Sequence, residues 1–231
     1  VADEEKTTVT DEIRKVYKQV DSFVEELLEQ KKDQFKPSCT KGCAHCCHLL
    51  ATITLVEGLV LAERILMSGE WEKLLPKLRA MALETQFEGV NRSTYFKKGI
   101  PCALLTAEKT CSVYDDRPSC CRYHLVDTPP DHCSHLAPPE VRTRALDLRE
   151  AEAHIWDISK AVAIELNFEE LFVGPLPHVL LHCMATISKD EEHFTILDAC
   201  EGIDLPMEWM AKHVPTIAKE NEEPPERIEL K

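Results

Sequence analysis

Glycine is scarce and scattered in this chain. Its seven glycines, Gly42, Gly58, Gly69, Gly89, Gly99, Gly174 and Gly202, never come within nine residues of one another. No glycine-rich loop can therefore cradle a phosphate or a dinucleotide, and the P-loop and Rossmann readings fall together. Long apolar runs are missing too. Nothing approaches the roughly 18 apolar residues of a membrane span, and the start lacks the basic and apolar regions of a secretory leader, so a soluble chain is expected. Val1 stands where a Met would begin, which fits removal of a leader or transit segment and fits a trimmed chain equally. Basic charge is in deficit: 27 Lys and Arg face 41 Asp and Glu, a formal net charge of -14. That balance argues against a nucleic-acid backbone as partner. Strand-like alternation is rare, and no nucleophile with its base or paired-carboxylate motif can be picked out. Whether the chain is an enzyme stays open on these grounds.

What the chain does have is length, apolar content and thiols. With 231 residues, 44% of them hydrophobic, it can bury a real core and does not need disulfides in place of one. Its 11 cysteines are an odd number and include the neighbours Cys46-Cys47 and Cys120-Cys121, which seldom pair with each other. Metal binding is the better reading, and it places the chain in a reducing compartment, a cytoplasm or an organelle interior such as matrix or stroma.

The thiols fall into two groups. Cys39, Cys43, Cys46 and Cys47 form a C-x3-C-x2-C-C loop, and Cys102, Cys111, Cys120 and Cys121 follow downstream. Several soft ligands on a tight loop suit Zn2+ or an iron-sulfur cluster. C-x3-C-x2-C is also the spacing of radical S-adenosylmethionine enzymes, but those use a β/α barrel with glycine-bearing strands, and this chain is helix-rich with a fourth thiol directly after the third. A single Zn2+ takes four ligands; the thiols gathered here allow one [4Fe-4S] cluster with spares, or two zincs. Between Arg92 and Arg122, six basic residues stand against Glu108, Asp115 and Asp116, and they would offset the negative charge of a thiolate cluster.

Both halves resemble the YkgJ-type cysteine-cluster family, described as a zinc- or iron-chelating domain. The first half is the loop from Cys39 to Cys47, with Thr54 and Glu57 opening the next helix. The second is Cys102-Ala-Leu-Leu105 followed by Cys111-Ser-Val-Tyr114-Asp-Asp-Arg117-Pro118-Ser-Cys-Cys121-Arg122-Tyr123. The resemblance covers roughly Pro37 to His124 and implies metal binding by Cys39, Cys43, Cys46, Cys47, Cys102, Cys111 and Cys121. The best quartet is Cys39, Cys43 and Cys46 with one of Cys102, Cys111 or Cys121; Cys47 serves a second site or the core. Cys120 stands beside the family pattern and receives no role. A flagellin lysine N-methylase joins a similar cysteine motif to methyl transfer, but its catalytic portion is not recognisable here.

Around the clusters, Arg117 and Glu57 read as braces for backbone carbonyls and a helix cap, and Tyr114 as packing over the site. His45, His48 and His124 are within reach as substitute ligands. His132, Cys133 and His135 have the spacing of a second zinc site but read as a surface loop. Cys183 belongs to an apolar helix face and Cys200 reads as a plain thiol.

The fold expected is mostly α, with two cysteine-rich loops joined by a metal site and few or no strands. Residues 1–36 carry an amphipathic helix from about 10 to 34 behind a Thr8-x-x-Asp11 cap; 37–124 form the cysteine-cluster domain; 125–218 form a helical region packed on it; 219–231 form an acidic tail that orders only on a partner. Within these, Thr54-x-x-Glu57 opens a helix ending at Ser68-Gly69, Glu70 to Phe87 gives another, and Gly89 to Pro101 is loop. Pro138-Pro139-Glu140 opens a long helix, Pro177 another, Phe194 to Leu197 a short strand, and Met207 to Lys212 a brief helix. The function implied is a metal-stabilised structural or binding module, a subunit meeting another protein through exposed helices or the acidic tail. The alternatives are a redox, electron-transfer or sensor iron-sulfur protein, and a metal-dependent group transferase such as a protein methyltransferase.

Overall fold

Thr8 starts the first helix by accepting from the Asp11 amide while the Asp11 carboxylate accepts from the Thr8 amide, a reciprocal box that satisfies donors a helix start leaves open. Helix α1 (Val9–Gln30) then turns Ile13, Val16, Tyr17, Val20 and Val24 inward and its charges outward. In this computed structural model the described residues are 8–86, 92–138, 140–146, 156–157, 159–161, 164, 173–201 and 203. The expected Met207–Lys212 helix and the tail from Lys219 lie outside them.

Two short strands launch the central helices. Strand β1 (Thr52–Thr54) runs antiparallel to β2 (Val173–Pro175), with Ile53 opposite Gly174. Helix α2 (Leu55–Ser68) leaves β1 through a second capping box, Thr54 with Glu57, and stops at Gly69, whose φ of +69° is the left-handed cap that glycine adopts without strain. Helix α3 is Trp71–Thr85, α4 is Arg92–Lys97 and α5 is the single turn Ser119–Arg122. Helix α6 (Leu176–Ile187) leaves β2 at Pro175, and α7 (Asp190–Cys200) follows it.

Helices α2 and α6 share the most extensive contact, with α3 and α7 completing the layer. Val56, Val60, Leu61, Ala62, Leu78, Val179, Leu180, Leu181 and Met184 are all fully enclosed there. A second, smaller cluster holds Val16, Val20, Val24, Phe35 and Leu146. Gly58 marks the closest approach of α2 to α6: a Cβ there would meet Val179 Cγ1 at 2.7 Å and the Cys183 sulfur at 2.8 Å. Cys183 is thus core, as expected, and Cys200 is also buried.

Four expectations need correction. Residues 92–97 within the expected loop form α4, because Tyr95 is drawn wholly into the core. Phe194 to Leu197 lie inside α7, where Ile196 is buried among the other helices; a short apolar run cannot distinguish strand from buried helix. The helix opened by Pro138 does not form through Leu146. Ala145 instead pairs with Val126, the Leu146 amide donates to the Leu125 carbonyl, and Leu146 fills the smaller core. Residues 147–155 of that pattern lie outside the described ones, and helical residues are described at 156–157 and 159–161. Tyr114 does not pack over the site: it is 60% exposed, and its ring stacks under the Arg117 guanidinium at 4.0 Å.

Two predictions follow from this packing. Gly58→Ala should destabilise the protein by about 1–3 kcal/mol in denaturant melts despite its better helix propensity, because the new methyl has no room. Cys183→Ala added to it should recover part of that loss. The second concerns His182, buried on α6 with Nε2 3.1 Å from the Thr186 hydroxyl and Nδ1 without a partner. Burial pushes its imidazole down to about 4. The unfolded chain takes up this proton near pH 6.5 and the folded one refuses it, so stability falls as pH drops from about 6.5 to 4. Relative to His182→Leu, the wild type should lose up to about 3 kcal/mol across that window, measured by urea unfolding at stepped pH.

Candidate metal centre

Pro37 follows the turn that ends α1, and the chain then lies along the segment after α5. The Ser38 amide donates to the Val126 carbonyl at 2.8 Å, and the Cys39 sulfur sits 4.0 Å from the same oxygen. Gly42, at φ +87°, makes the tight turn that lets the Cys43 amide reach the Thr40 carbonyl. A 3-10 turn over His45–His48 then carries Cys46 and Cys47. The second cysteine segment is hydrogen-bonded to the first directly: the Cys102 amide donates to the Cys47 carbonyl at 2.7 Å. From there a small hairpin, with Leu105 opposite Cys111 and Lys109 in the left-handed region at its tip, returns Cys111 to the site.

Glu57 fastens the last part. One carboxylate oxygen caps α2, accepting from the Thr54 amide and hydroxyl at 2.9 and 3.0 Å; the other accepts the Ser119 amide at 2.8 Å, at the start of α5. Cys120 and Cys121 ride on that turn with their sulfurs 3.9 Å apart. Arg122, 6% exposed, locks it from behind. Its guanidinium donates to the Arg117 carbonyl at 2.8 Å, to Asp21 on α1 at 2.6 Å and to the Asp115 carbonyl, and it stacks over the Tyr17 ring at 4.2 Å. Arg14 repeats the device beside it, pairing at 3.0 Å with both Asp116 and Glu63.

The thiols feel one another. Cys46 is pushed down to about 7 by its hydrogen bond with Cys47, against burial, and that bond raises Cys47 in turn, with burial and the charges of Cys46, Cys102 and Cys121 adding to it. Burial raises Cys102 to about 12, with Cys121, Cys111 and Cys46 contributing. Burial raises Cys111 too, with Cys121 and Cys46 adding and the Arg117 charge opposing. Cys39 is raised by burial and by Cys43 and Cys46. Cys133 lies on the loop read from sequence as surface, is half-buried there, and is raised to about 11 by that burial and by Cys39, Cys43 and Cys46. Cys46 is thus the thiol around which both groups gather.

Residues 38–135 match the model of the CxxCxxCC family, described as a "Putative zinc- or iron-chelating domain". Over that span the chain is similar to this family. The matched span runs past His124 to take in His132, Cys133 and His135. In the matched segment the first interval holds three residues where the family name has two, and Cys39, on the far side of it, is the exposed member of the loop. Neither the search of curated proteins nor that of solved structures gave a match.

The donor chemistry fits zinc or iron. Burial first, and neighbouring thiolates second, disfavour the ionised forms of Cys102, Cys111 and Cys133, and a cation among them reverses that cost. Among the described residues no three Cys, His, Asp or Glu side chains already stand around one point at metal-holding distance. Arg117 braces a carbonyl as expected, donating to that of Tyr114 at 3.0 Å. His45 Nε2 is 3.9 Å from Asp131, and burial with the Arg92 charge pushes the His124 imidazole down. Two contributors had no assigned role in sequence: Arg122, although it closes the second cysteine run, and Ser119, which acts through its backbone amide.

Glu57→Gln should cost about 2 kcal/mol of stability, since either orientation of the amide turns its NH2 toward a buried donor. Chemical denaturation with metal content followed in parallel checks it: the variant should also hold its metal more weakly.

Proposed function

We propose that the chain is a metal-stapled structural module, in which thiolates of the two cysteine groups hold one centre that fastens the Cys39–Cys47 loop to the Cys102–Cys121 segment. The observation that carries this reading is the gathering of Cys39, Cys47, Cys102, Cys111, Cys121 and Cys133 within electrostatic reach of Cys46. More than four thiols within that reach favour a [4Fe-4S] cluster over a lone Zn2+. Cys46 is the natural first ligand, since its hydrogen bond with Cys47 eases its ionisation. Cys39 and Cys43 join it from their loop, with a fourth thiolate from Cys102, Cys111 or Cys121. Bound there, the group supplies cross-linking energy to the two segments. Glu57, Arg122 and the Cys102 amide hold the segments in register for it. A reducing compartment keeps these thiols available, and a protein partner is the expected target of the module's surface.

Purification under anaerobic conditions followed by metal analysis and absorption spectroscopy tests the reading. A brown protein absorbing near 400 nm, with about four irons per chain, is expected. A colourless protein with stoichiometric zinc would replace the cluster by zinc and keep the staple. A chain that takes up neither metal would overturn the proposal. Cys46→Ser should lose the thiol-bound metal and melt at lower temperature while keeping the helical signal of the α2–α6 core.

A further inference from the structure

The 3-10 turns His45–His48 and Pro130–Cys133 pack on each other, and both carry imidazoles. The Nδ1 atoms of His48, His132 and His135 are each shielded from solvent and without a hydrogen-bond partner. The rings of His48 and His135 stand 4.9 Å apart and tilted by 33°. The Phe96 ring meets His135 edge-on at 6.3 Å. Behind His135 lies Gly99, at φ +64°, where a Cβ would come within 2.5 Å of Nε2; only glycine leaves this ring its place. His45, on the rim, is 3.9 Å from the Asp131 carboxylate, which adds negative charge beside the patch.

An unpaired buried nitrogen costs about 1–3 kcal/mol; two of these rings are neighbours and the third lies on the turn packed against His45–His48, so one shared partner would satisfy all three. Water would serve one or two of them. A borderline-soft divalent cation accepts three imidazole nitrogens and leaves a fourth position open. We propose that His48, His132 and His135 bind a zinc-class divalent cation through their Nδ1 atoms, at a site beside the thiol centre and distinct from it. Among the described residues the ligand set is not closed, so occupancy turns His48 and His132 toward the ring of His135, which is seated against Gly99. Cys133, adjacent in sequence, belongs by its neighbours Cys39, Cys43 and Cys46 to the thiol side.

The test uses the full chain loaded with zinc under anaerobic conditions. The double variant His48→Gln, His135→Gln should carry one zinc fewer per chain than the wild type. Its thiol-bound metal, read from thiolate-to-metal absorption, should be unchanged. An equal zinc count in the two proteins would overturn the site and leave the thiol-centre reading standing; loss of the thiolate absorption from Cys46→Ser with one zinc retained would support both. Should the double variant fail to fold, zinc-edge X-ray absorption of the wild type decides: nitrogen neighbours near 2.0 Å support the site, and a shell of sulfur alone overturns it.

Discussion

One buried carboxylate, that of Glu57, does two jobs that the rest of the molecule relies on. Its two oxygens cap α2 and receive the Ser119 amide, so the helix that anchors the hydrophobic core and the turn that carries Cys120 and Cys121 are positioned by the same group. A charged acceptor with buried donors on both sides is a strong, directional tie. It explains why two cysteine groups that lie far apart in sequence need the α2–α6 layer at all: the core holds Glu57 still, and Glu57 holds the second cysteine segment. Arg122 and Arg14 carry this logic outward to α1, through Asp21 and Asp116.

On that frame the thiols are placed against their own electrostatics. The fold brings both cysteine groups toward Cys46, where the Cys46 hydrogen bond and burial raise Cys47, burial raises Cys102, and the neighbouring thiolates add to both. Chains do not gather ionisable sulfur for packing alone, and a cation is the simplest way to turn the repulsion into attraction. The match of residues 38–135 to a zinc- or iron-chelating domain is the same conclusion reached from pattern. The cysteines outside this span, Cys183 and Cys200, are buried among apolar neighbours, as thiols without a ligand role usually are.

How much was legible in the sequence followed the range of the interaction. Both capping boxes, the Gly69 stop and α6 behind its prolines are local chemistry and could be read directly. So could the two cysteine groups. What could not be read depends on contacts distant in sequence. The refusal of residues 140–146 to be helical comes from pairing with Val126, and the burial of Tyr95 and Ile196 makes helices of segments read as loop and strand. The ties of Ser119 to Glu57 and of Arg122 to Asp21 join positions 62 and 101 residues apart, and periodicity carries no trace of them. The place of Cys133 and of the histidines beside it was hidden for the same reason, since a proline-flanked polar run looks like surface until the turn at His45–His48 packs against it.

The role of metal as staple can be tested most directly by hydrogen exchange, followed by mass spectrometry, on the full chain with and without its metal. If the metal fastens the two cysteine segments on an independently formed helical core, its removal should release the amides of residues 39–48 and 102–122, Cys102 among them, by at least tenfold. The amides of α2 and α6 should stay protected. Equal exchange of the cysteine segments in both states would contradict that role.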